Sequence, residues 1–127
     1  MRYMMIVRGP EDFSASGPPP MELMEAIGKL GEEATKAGKM VSMGGLRPTA
    51  QGTQIAIKKG KLITTDGPFT EAKEVIGGFT IMELASKEEA IAEGLKFMEL
   101  HRKLWPNWEG VTEIRPMYGD QEMPEFG

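Results

Sequence analysis

Ionisable side chains are concentrated in one short segment of this sequence, between two runs with the composition of β-strands. The segment begins with Asp66-Gly67-Pro68-Phe69 and continues with Glu71, Lys73 and Glu74. Asp-Gly-Pro predicts a sharp turn, because glycine tolerates positive φ and proline fixes φ at about −65°. A turn does not require the three charged residues that follow it. Residues 66–74, the acidic loop, are therefore the first candidate for chemistry.

The acidic loop has a structural and a catalytic interpretation. As part of a turn, Asp66 would accept hydrogen bonds from backbone amides two or three residues ahead. As a general acid or base, Asp66 would need burial to raise its pKa above the ordinary value of about 3.9. Glu71 or Glu74 would then move a proton and Lys73 would bind an anionic ligand. In the structural interpretation these three residues form a solvated ion-pair network.

His101 is the only histidine of the chain, and histidine is the side chain best suited to proton transfer near neutral pH. On a helix its neighbours are Phe97, Met98, Leu104 and Trp105. A lone histidine on such an apolar face is usually structural. We keep His101 as a catalytic candidate beside the three carboxylates of the acidic loop.

Four residues are candidates for binding a ligand: Phe69, Lys73, Trp105 and Arg115. Aromatic side chains often wall ligand clefts, although a turn built from Trp105-Pro106-Asn107-Trp108 can equally cap the core. Arg115 either pairs with Glu113 at alternate spacing on a strand, or reaches Asp66 or a ligand carboxylate. The sequence therefore leaves both a structural and a binding role open for these residues.

Composition restricts the classes of function. The 127 residues suffice for one domain, and they include no cysteine and a single histidine, so a metal site is not expected. A Gly-rich phosphate loop and a dinucleotide fingerprint are missing from the sequence, so no cofactor is expected. A net charge of −4 disfavours direct nucleic-acid binding. The apolar run at residues 3–7 is too short for a signal peptide or a membrane span, which favours a cytoplasmic protein.

Hydrophobic periodicity and turn residues predict six strands and two helices. Lys59-Gly60 joins two of the strands in a hairpin, and Ser86 has capping-box spacing with Glu89. The predicted strands cover residues 3–7, 40–43, 53–58, 61–65, 78–84 and 110–115, and the predicted helices cover residues 20–37 and 86–104. The domain is expected to occupy residues 1–117, with a loose tail over residues 118–127.

This order of elements predicts an α+β fold with a ferredoxin-like split βαβ core. Two helices cover one face of such a sheet, yet residues 3–7 are apolar at successive positions, so both faces of the first strand require burial. A second copy of the chain is the simplest cover. We therefore expect a homodimer with twofold symmetry.

Short stretches along the whole sequence belong to one pattern: Tyr3-Met4-Met5, Gly44-Gly45-Leu46, Asp66-Gly67-Pro68-Phe69 with Glu71, Lys73 and Glu74, Gly78-Phe79, and Glu113-Ile114-Arg115-Pro116. In this pattern the chain resembles the YCII-related family, specifically its DGPF-type members, from Met1 to Met117. The resemblance implies a ferredoxin-like protomer that pairs into a dimeric α/β barrel.

The resemblance implies less about the reaction. YCII-like members have been proposed as enzymes that use a His-Asp pair and have been likened to muconolactone isomerase, and some DGPF relatives are linked to sigma-factor genes. The first predicted helix of this sequence contains no histidine. A His-Asp mechanism of that form is therefore not transferred to this chain.

Two hypotheses about function follow. The first is an isomerase-like or lyase-like enzyme that transfers protons on an unknown small molecule. The second is a non-catalytic, ligand-sensing or regulatory dimer, with a link to sigma-factor-dependent transcription. An enzyme requires Asp66, Glu71 or Glu74, and His101 to converge on one pocket that restricts water. If these side chains lie far from one another, the non-catalytic, ligand-sensing hypothesis is favoured.

Overall fold

The computed structural model describes residues 1–69 and 71–119. It contains two long helices and six strands, in the order β1 (Arg2–Gly9), α1 (Met21–Lys36), β2 (Met40–Gly45), β3 (Thr53–Lys58), β4 (Lys61–Asp66), β5 (Val75–Glu83), α2 (Lys87–Leu104) and β6 (Val111–Pro116). A short 3₁₀ turn, Thr49–Gln51, precedes β3. The predicted order of elements is confirmed. Thr70 and residues 120–127 of the predicted tail lie outside the described residues.

The main sheet has four antiparallel strands in the order β2-β5-β1-β6. Both helices pack on one face of this sheet, which makes the chain an α+β protein with a ferredoxin-like arrangement. Strands β3 and β4 form a separate two-stranded sheet. Strands β1 and β5 are longer than the sequence predicts, because pairing continues to Gly9↔Val75 beyond an irregularity after Val7.

Local sequence explains how several elements begin and turn. The backbone amide of Glu89 donates to the Ser86 hydroxyl at 3.1 Å, which caps α2, while the Glu89 carboxylate accepts from the Ala85 amide at 3.1 Å. Lys59 and Gly60 have φ of 51° and 78°, as a tight hairpin turn of the mirror-image type requires. Pro20 is the N-cap of α1, so this helix begins one residue later than predicted.

The core lies between the helices and the sheet. Its buried side chains are those of Tyr3, Met5, Ala34, Met82, Leu84 and Ala90, with Met40 and Ile114 packed against them. Antiparallel register explains this set, since directly paired residues such as Tyr3↔Met82 and Met5↔Ile114 point to the same face of the sheet. No helix among the described residues is both long and apolar enough to span a bilayer.

The opposite face of the sheet has an apolar centre and a charged rim. Register places Met4 beside Ile81 and Ile6 beside Phe79, and all four side chains are partly exposed. We call these four residues the open face. On its rim, Arg8 pairs with Glu113 at 3.0 Å. The open face therefore retains apolar surface that the helices of the same chain do not cover.

The β3–β4 hairpin carries more exposed apolar surface. Ile55, Ile57 and Leu62 are 71%, 75% and 74% exposed. Register places all three on one face of the hairpin, because Ile57 pairs with Leu62 and Ile55 with Thr64. A two-stranded hairpin is marginally stable on its own and needs its apolar face covered. This face of the hairpin is thus a second uncovered surface.

Candidate functional site

The acidic loop begins where β4 ends. Asp66 is exposed, and its Oδ1 accepts a hydrogen bond from the Thr53 hydroxyl at 3.0 Å, across the hairpin from it. The Gly67 amide donates to the Gly52 carbonyl at 2.9 Å. A Cβ atom at position 67 would lie 1.7 Å from the Thr49 carbonyl oxygen, so only glycine fits against the 3₁₀ turn. The Gly67–Pro68 peptide bond is cis.

A short chain of hydrogen bonds holds the loop against the segment after β1. The Thr49 amide and hydroxyl both donate to Glu11 Oε1, at 3.2 Å and 2.8 Å. The same hydroxyl accepts from the Phe69 amide at 3.2 Å. Glu11 therefore fixes Thr49, and Thr49 fixes Phe69. Sequence analysis did not identify Glu11 or Thr49, because a single glutamate in a Pro-rich loop gives no periodic or motif signal.

The charged residues of the acidic loop do not converge within one chain. Asp66, Glu71, Lys73 and Glu74 are all exposed. None of the four is among the residues that line the two cavities described below. Their catalytic and binding roles stay predictions from the sequence.

His101 lies elsewhere, in a group of rings that we call the aromatic cluster: Phe13, Phe97, His101, Trp105 and Trp108. The His101 ring is 4.6 Å from that of Phe97 and 4.8 Å from that of Trp108, and the two indoles stack at 5.4 Å between centroids. Trp105 is buried, and its indole N–H donates to the Ser16 carbonyl at 3.1 Å. The predicted ligand-binding residue Trp105 thus packs in the interior.

Hydrogen bonding fixes the tautomer of His101. Its Nδ1 lies 2.9 Å from the Phe97 carbonyl oxygen, which can only accept, so Nδ1 carries the proton. Burial lowers the pKa of His101 from its ordinary value of 6.5, and the bond to Phe97 opposes that shift in part. The imidazole is therefore neutral near neutral pH.

Neutral His101 makes stability depend on pH. Because its pKa is lower in the folded than in the unfolded chain, the unfolded chain binds more protons as pH falls through 6.5. We expect the free energy of unfolding to be highest above that pH and to decrease below it. In urea unfolding between about pH 8 and pH 5.5, His101→Gln should lose this decrease, since glutamine does not titrate.

Carboxylates provide the internal control for this prediction. Asp12, Glu83 and Glu89 have pKa values lowered from 3.8, 4.5 and 4.5 by hydrogen bonds from, respectively, the Ser14 amide, the N-terminal ammonium and Lys39. The stability that they contribute is lost in a more acidic range, in the wild type and in the variant alike. Identical pH dependence of both proteins above about pH 5.5 would contradict the assignment to His101.

The aromatic cluster and the acidic loop lie at the same end of the fold. The segment after β1 connects them, because Glu11 contacts Thr49 while Phe13 meets the Trp105 ring at 5.6 Å. A single residue, Asp12, thus separates the anchor of the loop from the anchor of the cluster. The structure records no hydrogen bond or ion pair between His101 and the described residues of the loop.

The described residues line two cavities that are partly open to solvent, the first between the sheet and the helices and the second between α1 and α2. One cavity, of about 40 Å³, has mainly apolar walls that include Met5, Met40, Met43, Met82 and Phe97. A second, of about 90 Å³, is lined in part by Glu33, Lys39 and Lys96. Leu30, Ala34 and Glu93 line both, so the two cavities adjoin. We call the pair the sheet–helix hollow.

Glu93 is the acidic group between the two cavities. It belongs to α2 and is only 9% exposed. Its Oε1 lies 3.4 Å from Lys96 Nζ and 3.7 Å from Lys39 Nζ. Sequence analysis missed Glu93, because on a helix rich in glutamate nothing in the spacing distinguishes the one that turns inward.

Arg115 takes a structural position. Its Nε lies 3.7 Å from Glu113 Oε2, as alternate spacing on β6 allows, and Arg8 binds the other oxygen of the same carboxylate at 3.0 Å. This arrangement corresponds to the structural interpretation of the sequence, in which Arg115 pairs with Glu113. Among residues 1–69 and 71–119, no group of three or more His, Asp or Glu side chains is placed to hold a metal ion.

Comparison with known proteins identifies the family of the chain. A profile of the YCII-related domain matches residues 1–98. The chain is also 32% identical, over 104 residues, to an uncharacterized protein of Rhizobium meliloti (strain 1021), and the match covers 80% of each chain. The chain therefore belongs to the YCII-related family.

Proposed function

We propose that this chain is a small-molecule-binding protein whose ligand occupies the sheet–helix hollow. The observation that carries the proposal is the pair of adjoining cavities with the carboxylate of Glu93 between them. Ligand sites typically combine apolar walls with a few polar groups that fix orientation. Methionine side chains are flexible and polarisable, so the walls can adapt to the shape of a ligand.

The geometry favours ligand sensing over proton transfer by the acidic loop. A general base must come within hydrogen-bond reach of the proton that it moves, directly or through one water. Within one chain the carboxylates of the loop are exposed, and the Nδ1 proton of His101 is engaged by Phe97. The catalytic assignment of Asp66, Glu71, Glu74 and His101 remains a prediction, to be tested in the dimer.

We further propose that two copies pair through the open face, and that the partner chain also covers the exposed apolar face of the β3–β4 hairpin, Ile55, Ile57 and Leu62. The apolar centre of the open face, Met4, Ile6, Phe79 and Ile81, is flanked by the ion pairs Arg2–Glu83 and Arg8–Glu113, and an apolar centre with a polar rim is usual for a protein interface. The Nε of Arg8 is buried and has no hydrogen-bond partner among the described residues. A partner chain can supply an acceptor for this atom. Twofold pairing through the sheets would give the dimeric barrel that the resemblance implies.

Filling the hollow tests the ligand proposal. Ala34 is 8% exposed and lines both cavities, so Ala34→Leu places three further carbon atoms in the hollow. In a thermal-shift screen of metabolites, a ligand at about 100 times its dissociation constant stabilises the wild type by about 2.7 kcal/mol. We expect the variant to lose most of the resulting increase in melting temperature.

A matched substitution provides the control. Ala92→Leu makes the same chemical change on an exposed position of α2 that does not line the hollow, and it should keep the full ligand-induced shift. If Ala34→Leu folds and responds to every ligand as the wild type does, the ligand binds elsewhere and the proposal is wrong. Loss of response only in Asp66→Asn would instead place the site at the acidic loop.

A further inference from the structure

The carboxylate of Glu93 has unused capacity to accept hydrogen bonds. Its two recorded partners, Lys96 and Lys39, lie 3.4 Å and 3.7 Å away, and both approach Oε1. These distances are long for charge-assisted hydrogen bonds, which are about 2.8 Å. An ionised carboxylate has about four acceptor positions. Glu93 is nine-tenths buried and lines both cavities, so its remaining acceptor positions are available to a ligand in the hollow.

Lys39, one of the two lysines near Glu93, is not free to bind an anion. Lys39 Nζ makes its shorter contact, 3.0 Å, with Glu89, and this partner raises the pKa of Lys39. Glu33 also lines the polar cavity. With Glu89, which pairs with Lys39 but does not line the cavity, three carboxylates and two ammonium groups thus lie at or beside the polar cavity. The local charge favours a cationic head group over an anionic one.

Lys96 is the partner that a ligand can replace. Its side chain is 59% exposed, while that of Glu93 is 10% exposed, and the contact between them spans a single helical turn. Because the contact is long, at 3.4 Å, and Lys39 also lies beside the same carboxylate oxygen, the lysine end can turn into solvent when a second ammonium takes its place. A ligand ammonium in its place would lie deeper, where the lower local dielectric strengthens its attraction to Glu93.

We propose that the ligand is a primary amine with a short apolar tail. Its ammonium donates to Glu93 in the polar cavity in place of Lys96, and its tail lies among Met5, Met43 and Met82 in the apolar cavity. This inference rests on the proposed function, because it specifies the class of ligand for the same hollow. It assigns a role to Glu93 that the acidic loop and His101 do not share.

Three molecules with the same butyl tail and different heads test the inference: butylamine, 1-butanol and pentanoate. Methionine ε-methyl groups labelled with carbon-13 report binding by NMR, since Met5, Met40, Met43 and Met82 line the apolar cavity. We expect butylamine to shift these signals with a dissociation constant about tenfold below that of 1-butanol. Pentanoate should bind more weakly than both.

Two substitutions separate the head group from the cavity. Glu93→Gln should remove the preference for butylamine while 1-butanol binds as before, whereas Glu99→Gln, on the same helix but paired with Arg102, should change neither. Lys96→Gln alters an exposed side chain and should tighten butylamine binding several-fold, because it removes the competing ammonium. This second variant serves as the test if Glu93→Gln does not fold.

The outcomes distinguish this inference from the proposed function. Equal binding of the three molecules, or tighter binding of pentanoate, would overturn the amine assignment and leave ligand binding in the hollow intact. Wild-type preference for butylamine that persists in Glu93→Gln would also overturn it. If none of the three molecules shifts the cavity methionines, both the inference and the proposed function fail.

Discussion

Gly110→Ala is expected to lower the free energy of unfolding by about 3 kcal/mol. A Cβ atom at position 110 would lie 2.1 Å from Cζ2 of Trp108 and 2.7 Å from the carbonyl oxygen of Arg8. The indole cannot move away freely, because it stacks on Trp105 and packs against His101. Position 9 is similarly close to Trp108, at 2.9 Å. The aromatic cluster can therefore pack against this end of the sheet only because positions 9 and 110 carry no side chain.

Thermal and urea unfolding measure this loss of stability, and near-ultraviolet circular dichroism reports the packing of the two tryptophans. Gly77→Ala is the matched control, since a Cβ atom there meets nothing within 4 Å. It should change stability by less than about 1 kcal/mol. Equal stability of the two variants would show that the Trp108 side chain can relocate, contrary to the packing described above.

Ile57→Lys is expected to convert the proposed dimer into monomers, raising the dimer dissociation constant by about 100-fold or more. Ile57 is 75% exposed in one chain, so its replacement leaves the fold of the protomer unchanged. In the proposed dimer the apolar face of the hairpin is covered by the partner chain. A lysine at its centre would then bury a charge or prevent the contact.

Gln54→Lys is the control for the hairpin. It introduces the same charged side chain on β3, but Gln54 pairs with Thr65 on the opposite face of the hairpin. Sedimentation equilibrium at micromolar concentration should show a dimer for this variant and for the wild type, and a monomer for Ile57→Lys. A monomeric wild type, or a dimer that persists in Ile57→Lys, would contradict the proposed interface.

Local sequence rules predicted most of the architecture. Lys59-Gly60 predicted the hairpin, and Ser86 with Glu89 predicted the start of α2. The alternate spacing of Glu113 and Arg115 predicted an ion pair on β6. These features depend on neighbours a few residues apart, and physical preferences at that range can be read directly from the residues.

The contacts that define the candidate sites act over longer separations. Glu11 binds Thr49, which lies 38 residues away along the chain, and Trp105 binds the carbonyl of Ser16 across 89 residues. No local pattern encodes such pairs. The inward orientation of Glu93 similarly depends on how α2 lies over the sheet, not on the residues around Glu93 in sequence.

The same limitation applies to the acidic loop. A turn was predicted at this position, but its contacts differ from those expected. Gly67 is required by the close approach of the Thr49 carbonyl and not by a positive φ, and Asp66 accepts from the Thr53 hydroxyl while the Phe69 amide donates to Thr49. Whether solvent reaches the carboxylates of the loop depends on residues that are distant in sequence or on a second chain. Within one chain Asp66, Glu71 and Glu74 are exposed. Because these carboxylates are exposed, the proposed ligand site is the hollow with Glu93 and not the segment that begins with Asp66-Gly67-Pro68-Phe69.

A crystal structure of the protein grown with the strongest ligand of the metabolite screen is the most direct test of the central claim. The account predicts electron density for the ligand between the sheet and the two helices, against Met5 and Met43 and within hydrogen-bond distance of Glu93. Ligand density beside Asp66 and Phe69, with the sheet–helix hollow unchanged, would contradict it.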